Sequence, residues 1–310
     1  MKKIVITGGF GFIGTRLTRH FQENGLEVVV LEYPGSIVPA GFPKCEILRA
    51  DITDEAMIKQ NKIKGVDAVI HLAAQSSGPR SFQIPATDIK INVLGTLNTI
   101  NWCRENAIDR LLFASSFVVY GDHPDREALS EQTPCRPKSV YAGSKLAAEH
   151  LLISYAQPHG IKWSSLRMFN VYGPGQDITK PDQGVVGIFM NMLLKQDTVQ
   201  VKGSLSRFRD LVFIDDVISG WDLCLKTTSF NKAYNLGSGE KTTFEQLIKS
   251  VAKVLGKEHR LVIEELPGTP GDMQGCYADI SNIRADLGFQ PRVRLEKGLE
   301  SMARWVKADK

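Results

Sequence analysis

Disulfide scaffolding, metal ligation and nucleic-acid binding all find little support in this chain. Its 310 residues include five cysteines: Cys45, Cys103, Cys135, Cys224 and Cys276. The number is odd, the positions are scattered, and no Cys-x-x-Cys occurs. That argues against a disulfide framework or a zinc site and for reduced thiols in a cytosol. The six histidines show no metal-ligand spacing, so no metal is expected, and the four tryptophans are scattered as packing residues are. Block charge is also missing. The net charge is +4, with no run of one sign and no basic stripe interleaved with aromatics, so nucleic acid is not an expected partner. There is no internal repeat and no low-complexity tract. After Met1-Lys2-Lys3 comes a short strand-like stretch broken by glycines. It is too short for a signal-peptide core, or for the roughly 20 apolar residues of a membrane span. The expectation is a cytoplasmic protein with no membrane partner. Its 43% hydrophobic content suits a globular core.

What is present is alternation. Lys3-Ile4-Val5-Ile6-Thr7 is an apolar run ended by glycines, hence a buried strand. Ile13, Leu17 and Phe21 follow at helical spacing, Asn24-Gly25 supplies a stop, and Leu26 to Leu31 is a second strand. Further strands are expected at Glu46-Ile47-Leu48, Ala68 to His71, Leu111 to Ser115 and Lys162 to Arg167. Helical patterns cover 86–106 and 141–156, the latter stopped by Pro158-His159-Gly160. Strand alternating with helix implies an α/β fold, a parallel sheet covered on both faces. The regularity falls away after Tyr172-Gly173-Pro174-Gly175. Beyond it, Thr243 to Ile248 looks like a helix start and Pro267 to Gly275 like an irregular loop. The expected division is a dinucleotide-binding domain over 1–172 and a smaller α/β substrate domain over 173–310. Some strands at about 211–237 are expected to rejoin the main sheet.

Three motifs carry chemistry. Gly8, Gly11 and Gly14 lie between a strand and a helix, where glycines permit a tight turn, close approach of a pyrophosphate and helix–strand packing. The phosphates would rest on the helix N-terminus. Glu32 ends the second strand, roughly 20 residues beyond the loop, where a carboxylate meets the adenosine ribose. Its charge would repel a 2′-phosphate, and Tyr33-Pro34-Gly35-Ser36 offers no arginine to hold one, so NAD is favoured over NADP. Tyr141 and Lys145 are four apart on an expected helix and share a face. A lysine charge, with that of an oxidised nicotinamide, would favour the phenolate for proton transfer. Ser116, at the end of a strand, could add a hydrogen bond to the reacting oxygen. His71, also at a strand end, reads as packed rather than catalytic.

These residues are accompanied by Asp51-Ile52, His71-Leu72-Ala73-Ala74, Asn92-Val93-x-Gly95-Thr96, Ser115 to Gly121 and Arg167 to Gly173. Then come Arg209-Asp210, Asp215-Asp216-Val217, Tyr234-Asn235-Leu236-Gly237 and Pro270-Gly271-Asp272. In that order, nearly end to end, they resemble the extended short-chain dehydrogenase/reductases, the NAD-dependent epimerase/dehydratase family. The resemblance implies a Rossmann-type doubly wound sheet, with Ser116, Tyr141 and Lys145 as the catalytic trio. Phe12, Ile13, Glu32, Asp51, Ile52, Leu72, Ala73, Ala74 and Asn92 would surround NAD beside the three glycines. Asn170, Arg209, Asp272 and Cys276 would form the nucleotide-sugar site, Arg209 gripping the diphosphate. A homodimer paired through a four-helix bundle is implied, using the helices at 86–106 and 141–156.

Dehydratases of the family carry an Asp-Glu pair just after the catalytic hydroxyl, and its decarboxylases carry a glutamate there. This chain has Phe117 and Val118. The expected reaction is therefore 4-epimerisation of a UDP-sugar, of the glucose/galactose type. At the position of Cys276 a tyrosine restricts the sugar pocket, whereas cysteine leaves room for a 2-acetamido group. Where some members have an arginine before Pro-Gly-Asp, this chain has Thr269. Two readings stay open beside this one: a UDP-glucuronate epimerase, for which Arg80 is the available cation, and an NAD-binding sensor without turnover.

Overall fold

In the computed structural model, residues 1–123, 128–182, 184–268 and 273–308 are described. They divide into two compact units. The first comprises 1–119, 139–167 and 220–234; the second comprises 120–138, 168–219 and 235–310.

The first unit is built on a seven-stranded sheet. Its spatial order is Lys232–Leu236, Lys162–Met168, Arg110–Ser116, Ala68–His71, Lys3–Thr7, Glu27–Glu32, Glu46–Arg49. Lys3–Thr7 pairs in parallel with both Glu27–Glu32 and Ala68–His71, so the order reverses on its two sides. Ligands bind at the carboxyl ends of strands beside such a switch point. The strands are apolar on both faces: Ile4, Val5, Ile6, Val29, Val30, Val69 and Ile70 are wholly buried. That is the mark of a parallel sheet covered on both sides by helices.

The helix Phe12–Glu23 buries Leu17 and Phe21 and ends at Asn24, with Gly25 at φ +80°. The helical pattern over 86–106 is realised as Pro85–Ile89 and Gly95–Glu105 joined by a π-type turn, Lys90–Leu94, which carries Asn92. Such turns concentrate at functional sites. The pattern over 141–156 becomes Val140–Leu151, capped by the Ser139 side chain, followed by a second π-type turn at Leu152–Ala156. Gly160, at φ +80°, ends it.

The second unit has short strands ordered Thr242–Thr243, Phe208–Arg209, Gly275–Ala278, Ala128–Leu129. Two further strand pairs are Leu211–Phe213 with Asn170–Tyr172, and Val262–Leu266 with Thr198–Lys202. The expected helix start at Thr243 is a reciprocal cap, Thr243 Oγ1 with the Gln246 amide and Gln246 Oε1 with the Thr243 amide. Among the described residues no helix is long and apolar enough to cross a membrane.

Candidate active site

The glycine loop is a close-packed cradle. Gly8 takes φ +71°, and a Cβ there would lie 2.7 Å from the Ala73 amide nitrogen. A Cβ on Gly14 would lie 2.4 Å from the Gly8 carbonyl oxygen, and one on Gly9 would lie 2.7 Å from Val30. Only glycine lets the helix Phe12–Glu23 start this close to the strand before it. That helix has Gly11 at its N-cap, no side-chain cap and no acidic residue in its first turn. Its first amides, including those of Phe12 and Ile13, therefore suit the pyrophosphate of a dinucleotide. The residues present fit NAD.

Glu32 is buried and accepts the Phe10 amide at 2.7 Å. Burial raises its pKa, and the amides of Phe10 and Tyr33 and the charge of Arg49 oppose that rise. Arg49 lies directly across the ladder from Glu32. Its guanidinium donates to the carbonyls of Tyr33 and Ser36 and rests 5.3 Å over the Phe10 ring. Asp51 Oδ1 accepts the Thr53 amide, and Ile52 packs where a Cβ on Gly95 would lie. The Leu72 and Ala73 amides donate to the carbonyl and hydroxyl of Thr7, which hold the segment leading to Ala74.

The Ser116 hydroxyl acts on the Tyr141 phenol, and Lys145 lies one helical turn beyond Tyr141. The Lys145 ammonium is buried 4.7 Å over the Phe113 ring. Burial drives its pKa down to about 8, against the pull of Asp88 and Glu149. The phenol of Tyr141 moves the other way, up to about 12, because burial outweighs the lowering effect of the Ser116 hydroxyl. Desolvation is the largest influence on both groups.

Asn92 reaches the same helix. Its Nδ2 donates to Ser144 Oγ at 3.0 Å, to the Gln75 carbonyl at 3.0 Å and to Asp88 Oδ1 at 3.3 Å. Its Oδ1 accepts the Gln75 amide. Ser144 donates to Asp88, and Gln75 Nε2 donates to the other Asp88 oxygen. Asn92 is thus a strut between the π-type turn and the Tyr141 helix. The sequence reading named neither Asp88, Ser144 nor Gln75; the polar residue kept inside an apolar helical pattern at 88 was the available signal.

His71 is packed, as expected. The Thr96 hydroxyl donates to the Asn92 carbonyl, so it accepts from His71 Nε2; the neutral ring's Nδ1 then accepts from the Thr7 hydroxyl, which itself accepts the Ala73 amide. Burial drives the imidazole pKa down to about 3 and keeps it neutral. Glu149, a turn beyond Lys145, is clamped by Arg167 Nε at 3.0 Å and Nη2 at 2.7 Å and by Ser165 Oγ at 3.0 Å.

In the second unit, Arg209 and Cys276 stand opposite each other in the parallel pair Phe208–Arg209 with Gly275–Ala278. Arg209 donates to the carbonyls of Phe208 and Met273 and lies 5.3 Å over Phe244. Cys276 is buried, which raises its thiol to about 12. Asn170 Nδ2 donates to the Asp210 carbonyl. Asp272 and Thr269 lie outside the described residues. No group of three or more potential metal ligands occurs among the described residues.

The model of the NAD-dependent epimerase/dehydratase family matches residues 4–237. The chain is 32% identical to a putative UDP-glucose 4-epimerase of Methanocaldococcus jannaschii, covering 98% of each chain. It is also 32% identical to UDP-glucuronic acid decarboxylase 1 of Danio rerio, covering 96% of this chain and 71% of that one. Among solved structures, UDP-glucose 4-epimerase of Thermus thermophilus in complex with NAD superposes with a TM-score of 0.88 at 33% identity, covering 99% and 100%. UDP-N-acetylglucosamine 4-epimerase of Methanobrevibacter ruminantium superposes at 0.91 with 28% identity, covering 100% and 99%. With the glycine cradle, the doubly wound sheet and a match over most of its length, this chain belongs to the NAD-dependent epimerase/dehydratase family, and is an enzyme with NAD as its cofactor.

Proposed function

We propose that the protein is a nucleotide-sugar 4-epimerase that interconverts UDP-glucose and UDP-galactose through a 4-keto sugar. The observation that carries this is Tyr141 one helical turn before buried Lys145, with the Ser116 hydroxyl acting on the phenol and Ser116 followed directly by apolar Phe117 and Val118. Tyr141 takes the proton of the sugar 4-hydroxyl, and Ser116 orients that oxygen. Bound NAD supplies the hydride acceptor and a positive charge that favours the phenolate. Lys145 keeps its proton more readily near Asp88 and Glu149 and holds cationic character beside the phenol. Phe117 and Val118 carry no proton to expel water from the sugar, which separates this reading from dehydration. The same positions support epimerisation over decarboxylation.

Arg209 and Asn170 are assigned to the diphosphate and nucleotide, and Cys276 to the sugar's 2-substituent, where it admits the N-acetylated pair. Phe82, Ile89, Leu94 and Ile153 are exposed on the helical segments at 78–94 and 152–156, and support a homodimer through them.

The test is a product assay on NAD-loaded protein with UDP-glucose, UDP-N-acetylglucosamine and UDP-glucuronate supplied separately. Conversion of UDP-glucose to UDP-galactose, with no 4-keto-6-deoxy product, is expected. Carbon dioxide release from UDP-glucuronate, or a dehydrated product, would replace this reading; epimerisation of UDP-glucuronate alone would move the substrate to the hexuronates.

A further inference from the structure

Arg209 has a role in the reading above; its neighbour Asp210 has none. Asp210 is wholly buried. Its Oδ1 accepts the Ser238 amide and the Ser238 hydroxyl, each at 2.7 Å. Its Oδ2 accepts the Gly239 amide at 2.9 Å and the Ala278 amide at 3.0 Å. Its backbone carbonyl accepts both the amide and Nδ2 of Asn170, each at 3.1 Å. A Cβ on Gly237 would lie 2.6 Å from Oδ2, so the chain gives up a side chain there to admit the carboxylate.

Four donors converging on one buried carboxylate are charge-assisted bonds, stronger than neutral ones. They join separate stretches of chain. Ala278 closes the strand that carries Cys276, and that strand pairs with the one carrying Arg209. Asn170 hangs on the Asp210 carbonyl. Burial raises the carboxyl pKa, and all four donors oppose the rise.

We infer that Asp210 is a positioning residue for nucleotide-sugar recognition: its buried carboxylate and carbonyl fix Asn170, Arg209 and Cys276 in one frame. The inference rests on the proposed function, which gives those three residues to the substrate. A purely structural Asp210 would instead lower stability, NAD retention and turnover together.

The variants Asp210→Asn and Ser238→Ala separate the two. The carboxamide keeps the shape of Asp210, but its nitrogen cannot accept, so donors on one oxygen lose their partner. Ser238→Ala removes one hydroxyl donor and leaves the carboxylate. Each NAD-loaded protein is titrated with UDP by calorimetry, and NAD per chain, melting temperature, KM and kcat on UDP-glucose are recorded. Asp210→Asn should weaken UDP and raise KM by about ten-fold or more, with NAD content unchanged and kcat within about three-fold. Ser238→Ala should shift UDP affinity the same way by about two- to five-fold, and it decides the matter if Asp210→Asn does not fold. Unchanged UDP affinity in a folded variant overturns the inference, as does a loss of NAD and kcat in proportion to KM. Wild-type protein that fails to bind UDP sinks the functional reading, and the inference with it.

Discussion

Gly14→Ala adds one methyl group, and the structure says what that methyl meets. The new Cβ would lie 2.4 Å from the Gly8 carbonyl oxygen, 2.7 Å from Gly9 Cα and 2.8 Å from the Gly9 carbonyl carbon. All three are backbone atoms, so no rotamer relieves the clash. Gly8 cannot retreat either, because a Cβ at Gly8 would already lie 2.7 Å from the Ala73 amide and its own amide donates to Leu31. The helix Phe12–Glu23 must move away from the strand, or the loop must deform. Overpacking of this kind costs ~1–3 kcal/mol. At roughly 2–4 °C per kcal/mol, melting should fall by several degrees. The deformation falls on the amides proposed to hold the pyrophosphate, so NAD affinity should drop by about ten- to a hundred-fold. Gly143→Ala is the internal contrast. It sits in the helix Val140–Leu151, and a Cβ there meets nothing within 4 Å. The same methyl should there stabilise the fold by about 0.5–1 kcal/mol. Melting curves and NAD per chain after gel filtration measure both. If Gly14→Ala keeps wild-type melting and full NAD content, the close-packed cradle is not what makes the site.

Tyr141→Phe should keep fold and NAD content while turnover falls by ~10²–10⁴-fold; a near-normal rate would remove Tyr141 as the proton acceptor. The Lys145 pKa is lowered from 10.5 to about 8 on folding, so the unfolded chain binds more protons between those values and stability should rise with pH across that window. Lys145→Met should therefore melt higher than wild type at pH 7, by up to roughly 3 kcal/mol, with the gain shrinking towards pH 9.5 and turnover lost. A constant difference across that range would contradict the assigned pKa. Glu149→Gln breaks a buried pair whose side chains are 9% and 6% exposed, and should cost ~3–5 kcal/mol in urea unfolding; a cost below ~1 kcal/mol would show that Arg167 finds another partner.

The sequence by itself determined what depends on neighbours along the chain. Apolar runs set the strands Lys3–Thr7 and Glu27–Glu32, and helical spacing set Phe12–Glu23 between them. Glu32 at a strand end, and Tyr141 one turn before Lys145, follow from that local geometry. The stop at Gly160 and the cap at Thr243 are likewise local. Tertiary structure alone decided which distant groups meet. Asn92 and Asp88 reach Ser144 across 52 and 56 residues, and Asp210 takes the Ala278 amide from 68 residues away. No periodicity encodes such pairings. The interleaving of the two units, with 120–138 in one and 220–234 in the other, is equally non-local. So are the acid–base properties of the site. The spacing of Tyr141 and Lys145 suggests a charge lowering a phenol, yet burial raises that phenol and lowers the lysine. Desolvation is set by everything packed around a group, and most of what surrounds these two comes from elsewhere in the chain.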